Sequence, residues 1–133
     1  MNKEFIPYDE AKALKELGFD EDCFMMYNQT QLEEAVNVNT FKLHPLDYNN
    51  FGGLPNCISA PLYQQAFRWF REKHDIHSFT DLKWKKNGWD FEMVDMNKME
   101  TISSLGKYGF ESQEKAELAC LKKLIEIVKS ENN

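Results

Sequence analysis

An Asn87-Gly88 pair stands between two runs, Phe79 to Lys85 and Trp89 to Met96, in which apolar and polar residues alternate, and no other stretch constrains the fold so tightly. Alternation gives a pleated strand one apolar and one polar face, and Asn-Gly accepts the positive φ angles of a tight hairpin turn. The pattern predicts an antiparallel hairpin. Leu82 and Trp84 fall on one face of its first strand and Lys83 and Lys85 on the other; in the second strand Trp89, Phe91 and Met93 face away from Asp90 and Glu92. Lysine and acid pairs across such a hairpin contribute about 0.2 to 1 kcal/mol each, enough to bias register but not to hold the fold.

Helical signals flank the hairpin. Pro61 suits the first position of a helix running to about His74, capped by Ser59 or Ala60, with Leu62, Tyr63, Ala66, Phe67, Trp69 and Phe70 on one face and charge on the other. That aromatic stripe reads as core rather than as a base-stacking platform. Met99 to Ser103 supplies a third strand, Gly106 and Gly109 bracket the next turn, and Ser112 caps a last helix with Ala116, Cys120, Leu124, Ile127 and Val128 in one stripe. Upstream, Pro7 to Leu17 reads as a helix stopped by Gly18, with Phe19 folding back onto it. Residues 23 to 27 read as a short strand and Gln31 to Val36 as a helical turn or loop. Thr40 to Leu43 reads as a strand pairing with 23 to 27, and residues 45 to 60 as one long loop.

Together these elements predict a single α+β domain over residues 1 to 133, with a small antiparallel sheet packed against helices and a helix, hairpin, strand, helix order in its second half. With 133 residues and 42% hydrophobic content, the chain can bury a core without disulfides or metal. Its three cysteines, Cys23, Cys57 and Cys120, are odd in number and unpatterned, so free thiols are expected. No apolar run reaches the length of a membrane span, and Met1 to Phe5 is charged where a leader would be apolar, so the expected address is the cytoplasm, with no membrane association.

Charge divides the chain. Residues 1 to 59 hold 4 Lys/Arg against 10 Asp/Glu, a net of −6, whereas residues 60 to 133 hold 12 of each. An acidic first half repels phosphates and favours basic partners. The chain has no phosphate-binding glycine loop, no G-x-S-x-G, no H-E-x-x-H and no cysteine cluster of zinc type. His74 and His77 form H-x-x-H across an expected helix end with no third ligand nearby, and Asp20, Glu21 and Asp22 lack the alternation of a calcium loop. No catalytic residue, metal site or cofactor is therefore expected. The leading expectation is a non-enzymatic interaction module that binds a protein partner through its acidic part, at Asp20, Glu21 and Asp22 and, in the 45 to 60 loop, Tyr48 and Phe51. The alternatives are nucleic-acid binding, with Arg68, Arg71, Lys83, Lys85 and Lys86 as phosphate contacts, and a small-ligand binder or hydrolase using the 45 to 60 loop. Sequence sets no oligomeric state.

The order helix, strand, strand, strand, helix across residues 61 to 130 resembles the double-stranded RNA-binding domain, including the alanine-bearing last helix at Glu114 to Ala119. Those domains contact phosphates from a basic cluster at the start of that helix, whereas Glu111, Glu114 and Glu117 surround Lys115 here, so the resemblance implies the layout without the RNA site. Three further segments, Ile6 to Ala11 with Leu17 to Asp20, Ala60 to Lys73, and Lys115 to Leu124, are similar to a family of uncharacterised small proteins of gut Bacteroidales and of their phages and mobile elements. That resemblance implies an intracellular, prophage-linked origin and carries no activity with it.

Overall fold

The structure is a computed structural model and describes residues 2–34, 57–104, 106 and 108–132. The strand expected at Thr40 to Leu43, and Tyr48 and Phe51, lie outside the described residues. The chain has an α+β architecture built as two units, Met1–Tyr63 and Gln64–Asn133.

In the first unit, α1 (Tyr8–Glu16) starts after Pro7, whose φ of −66° suits the helix entry and whose missing N–H costs nothing there. Asp9 and Glu10 in its first turn complement the helix dipole. Gly18 ends the helix at φ +100°, and the Phe19 N–H then donates to the Leu14 carbonyl at 2.9 Å, bringing the Phe19 ring under cover. Three short strands form an antiparallel sheet in the order β2-β1-β3: β1 (Met25–Asn28), β2 (Gln31–Glu34) and β3 (Cys57–Ala60). Tyr27 at the centre of β1 donates its hydroxyl to the Ile6 carbonyl at 2.7 Å.

Two expectations are corrected here. Gln31–Glu34 is a strand rather than a helical turn or loop, because a segment this short cannot offset helix nucleation while β1 offers it a ladder partner four residues long. Residues 57–60 are β3 rather than the end of a loop, and they pair with β1 from Met25↔Ala60 to Asn28↔Cys57. Pro61 consequently stays extended, its carbonyl accepting from the Ile6 N–H at 3.0 Å, and the helix begins at Tyr63.

The second unit runs α2 (Tyr63–His74, its first residue at the boundary), β4 (Ile76–Lys83), β5 (Gly88–Asp95), β6 (Glu100–Ser103) and α3 (Gln113–Glu131), with the sheet ordered β4-β5-β6 and antiparallel throughout. Opposed residues share a face, so Ile76, Ser78 and Thr80 of β4 line up with Asp95, Met93 and Phe91 of β5. α3 packs on this face: Cys120 lies close enough to Ser78 to feel its hydroxyl, and Gln113 donates to Thr80 at 3.4 Å. Buried Ala116, Cys120, Leu121, Leu124, Ile125 and Val128 are its apolar stripe. Ser112 caps α3 by accepting from the Lys115 N–H at 3.2 Å. α2 runs parallel to α3, since Gln64 donates to Glu117 near their starts and Glu131 lies near His74 at their ends.

The hairpin forms with a different turn. Lys83 pairs with Gly88, so the connection is a four-residue loop, a 3-10 turn at Trp84–Lys86 followed by Asn87 at φ 52°. Trp84 therefore leaves the strand and is 83% exposed. Gly88 is required for another reason: a Cβ there would stand 2.6 Å from the Phe110 carbonyl oxygen.

Candidate functional site

The Gly88 contact is one half of a backbone crossing that shapes the second unit's surface. The chain leaves β5 after β6 and returns at Phe110, which bridges Trp89 through Trp89 N–H to Phe110 carbonyl at 2.9 Å and Phe110 N–H to Trp89 carbonyl at 2.7 Å. The Gly109 N–H adds a bond to the Lys86 carbonyl at 2.7 Å. A Cβ on Gly109 would lie 2.6 Å from the Gly88 carbonyl carbon, so two glycines are needed for the two backbones to touch. Once returned, the Phe110 ring stacks on Phe91 with centroids 6.2 Å apart.

The departure point is clamped as well. Ser104 donates to Asp90 Oδ1 at 2.5 Å, Lys86 Nζ donates to Asp90 Oδ2 at 2.8 Å and to the Ser104 carbonyl at 3.4 Å, and the Phe91 N–H closes on Asp90 Oδ1. Burial by itself would push the Asp90 carboxyl up, but the Lys86 ammonium, the Ser104 hydroxyl and the Phe91 N–H together hold it below the usual carboxylate range.

Between these clamps lies an open groove of about 830 Å³. Phe91, Ile102 and Phe110 give it an apolar floor, and Tyr108, 74% exposed, stands on its rim. Four consecutive residues, Thr101 to Ser104, line one side. Side chains of successive strand residues point to opposite faces, so a consecutive set meets one groove only along the strand's edge. Ala119, Lys122, Lys123 and Glu126 of α3 line the opposite side, at the i, i+3, i+4, i+7 spacing of a single helical stripe. Lys123 is paired with Glu126 at 3.3 Å, whereas Lys122 has no acidic partner among the described residues. Among the described residues the lining thus carries a net charge of +1, on a chain whose net charge is −6.

The residues singled out by sequence fall in both units. Asp20 is exposed on the turn after α1, while Glu21 and Asp22 are half-buried and engaged within the structure. Among the cations, Arg68 pairs with Glu72 at 4.0 Å, Lys83 with Asp81 at 3.1 Å and with Glu92 at 3.4 Å, and Lys86 with the buried Asp90. Lys85 lies over the Trp84 ring at 5.7 Å, and Arg71 is exposed on α2. Arg68 and Arg71 thus lie on α2, and Lys83, Lys85 and Lys86 at the β4–β5 connection. The H-x-x-H histidines also part: His74 is packed against the Trp69 and Phe70 rings, where burial lowers its pKa, and His77 is bonded to Asp75 at 3.0 Å in solvent. Among the described residues no group of three or more His, Cys, Asp or Glu is arranged to hold a metal ion. No described helix is long and apolar enough to cross a membrane. Cys120 is buried and its thiol is pushed up to about 12, chiefly by desolvation, which disfavours the reactive thiolate. The groove itself was not read from the sequence, although Gly106, Gly109 and the half-polar stripe of the last helix were its visible traces. No family model, curated protein or solved structure matches the chain.

Proposed function

We propose that the protein is a non-enzymatic interaction module and that its second unit holds a segment of a partner protein in the groove between β6 and α3. The observation that carries this reading is the groove's construction: an apolar floor within the volume range of ligand sites, one wall a strand edge and the other a helical stripe. An exposed aromatic on the rim suits partner contacts, which concentrate on such residues. The site assigned to the partner therefore moves from the acidic turn at Asp20 to Asp22 to the second unit. With a floor of a few apolar side chains, each contributing about 1.5 to 3 kcal/mol when covered, and the cost of association against it, the expected affinity is micromolar.

The test is affinity selection of a displayed random-peptide library on the intact chain, with the Ala119→Arg variant as the comparison. Ala119 is only half-buried and lies on α3, where arginine is a good helix former, so the variant fills the groove without breaking the helix. Selected peptides are expected to bind the native chain and to lose at least about tenfold against the variant. Selected peptides that bind both proteins equally would remove the groove from the account.

A further inference from the structure

We infer that the groove takes its occupant as an added β-strand: an extended partner peptide hydrogen-bonds along the free edge of β6, alternates apolar residues toward α3, and places an Asp or Glu against Lys122. This rests on the groove being the partner site, and goes beyond it by fixing the partner's conformation and chemistry.

Four observations converge on it. First, β6 is the last strand of its sheet: among the described residues it pairs only with β5, from Glu92↔Ser103 to Asp95↔Glu100. In a strand paired on one side, alternate residues aim their N–H and C=O at the open side, so an extended chain laid there finds donors and acceptors already in register. Second, the groove runs along that edge, because Thr101 and Ser103 point to one sheet face, Ile102 to the other, and all three line it. Third, the dimensions agree. The four residues of β6 extend about 13 Å at about 3.3 Å per residue. The stripe from Ala119 to Glu126 rises about 10 Å at 1.5 Å per residue. A segment of about four or five extended residues fills that length. Fourth, α3 covers only the face that carries Ile102, so alternate residues of the added strand meet Ile102, Phe110 and Ala119 while the others face solvent.

Charge selects the chemistry. Lys122 is an exposed ammonium on the helical wall with no acid opposite it among the described residues, and Glu126 is already engaged by Lys123. A carboxylate side chain in the added strand completes that pair.

The experiment uses the peptides recovered from the random library on the full chain, each resynthesised with single backbone N-methyl groups and with its acid changed to lysine. N-methylation removes one donor at a time without altering side chains. Strand addition predicts losses of about tenfold or more at every second position and little between them. The Lys122→Glu variant should bind the acidic peptides about three- to tenfold more weakly and regain affinity for the lysine version. Recovered peptides that are sensitive to Ala119→Arg but indifferent to N-methylation, or that show no alternation, would overturn strand addition while leaving the groove as the partner site. Peptides that lack an acid and ignore Lys122→Glu would overturn the charge assignment. If the native chain selects no peptide, or selects only peptides indifferent to Ala119→Arg, the groove reading and this inference both fall.

Discussion

Gly109→Ala attacks the backbone crossing that makes the groove, and its cost can be worked from distances. The new Cβ would sit 2.6 Å from the Gly88 carbonyl carbon, 2.7 Å from its Cα and 2.9 Å from the Trp89 carbonyl oxygen. All three are main-chain atoms of β5, and none can rotate away. One response keeps the crossing and bears the overlap, at about 1 to 3 kcal/mol for a forced methyl in a packed site. The other opens it and gives up three main-chain hydrogen bonds, about 1.5 to 4.5 kcal/mol at 0.5 to 1.5 each. The cheaper route bounds the loss, so about 1 to 3 kcal/mol is expected. Urea unfolding followed by tryptophan fluorescence reads the right unit, because Trp69, Trp84 and Trp89 all lie in it. At about 1.5 to 2 kcal/mol per molar urea the midpoint should fall by roughly 1 M. Gly106→Ala is the control: its nearest contact is the Tyr108 oxygen at 3.3 Å, and a shift within about 0.5 kcal/mol is expected. A Gly109→Ala protein as stable as the native chain would refute the crossing.

Other consequences are separately measurable. Asp90 is held below the usual carboxylate range in the folded chain, so its contribution is complete above the unfolded value of about 4 and is lost as pH falls through the lowered folded value. Asp90→Asn should flatten the acid side of a stability profile measured from pH 6 to pH 2.5, and an unchanged profile would count against the clamp. Tyr27→Phe removes the hydroxyl bonded to the buried Ile6 carbonyl and should cost about 1 to 2 kcal/mol in the first unit by amide exchange in β1. Ser112→Ala should cost about 1 kcal/mol by removing the α3 cap, read from the thermal midpoint. Cys120 should resist alkylation in the native state and react fully in urea; modification in the native state would contradict its burial. Duplex RNA should not be retained near 50 mM salt, because Arg68, Lys83 and Lys86 are already paired with acids.

Sequence patterning located the elements whose signals are local. The alternation around Asn87-Gly88 placed β4 and β5, the Ala116 to Val128 stripe placed α3, and Gly18 marked the end of α1. What it misread depended on partners distant in sequence. Gln31–Glu34 has helix-favouring residues but becomes a strand because β1 is beside it, and Cys57–Ala60 looked like loop because its partner lies some thirty residues upstream. Gly88 was assigned to a turn on its local context, whereas the reason for it is Phe110, brought in by tertiary crossing. The groove escaped for the same cause: its walls are β6 and α3, and nothing in either sequence says that the two stand beside each other with a groove between them.

The most direct test of the central claim is a titration of isotope-labelled protein with the tightest selected peptide, followed by backbone amide shifts and inter-strand nuclear Overhauser contacts. Strand addition at β6 gives contacts from the peptide backbone to Thr101, Ile102 and Ser103, with shifts along α3 at Ala119 and Lys122. Shifts gathered instead at the Asp20 to Asp22 turn, with β6 unmoved, would contradict it.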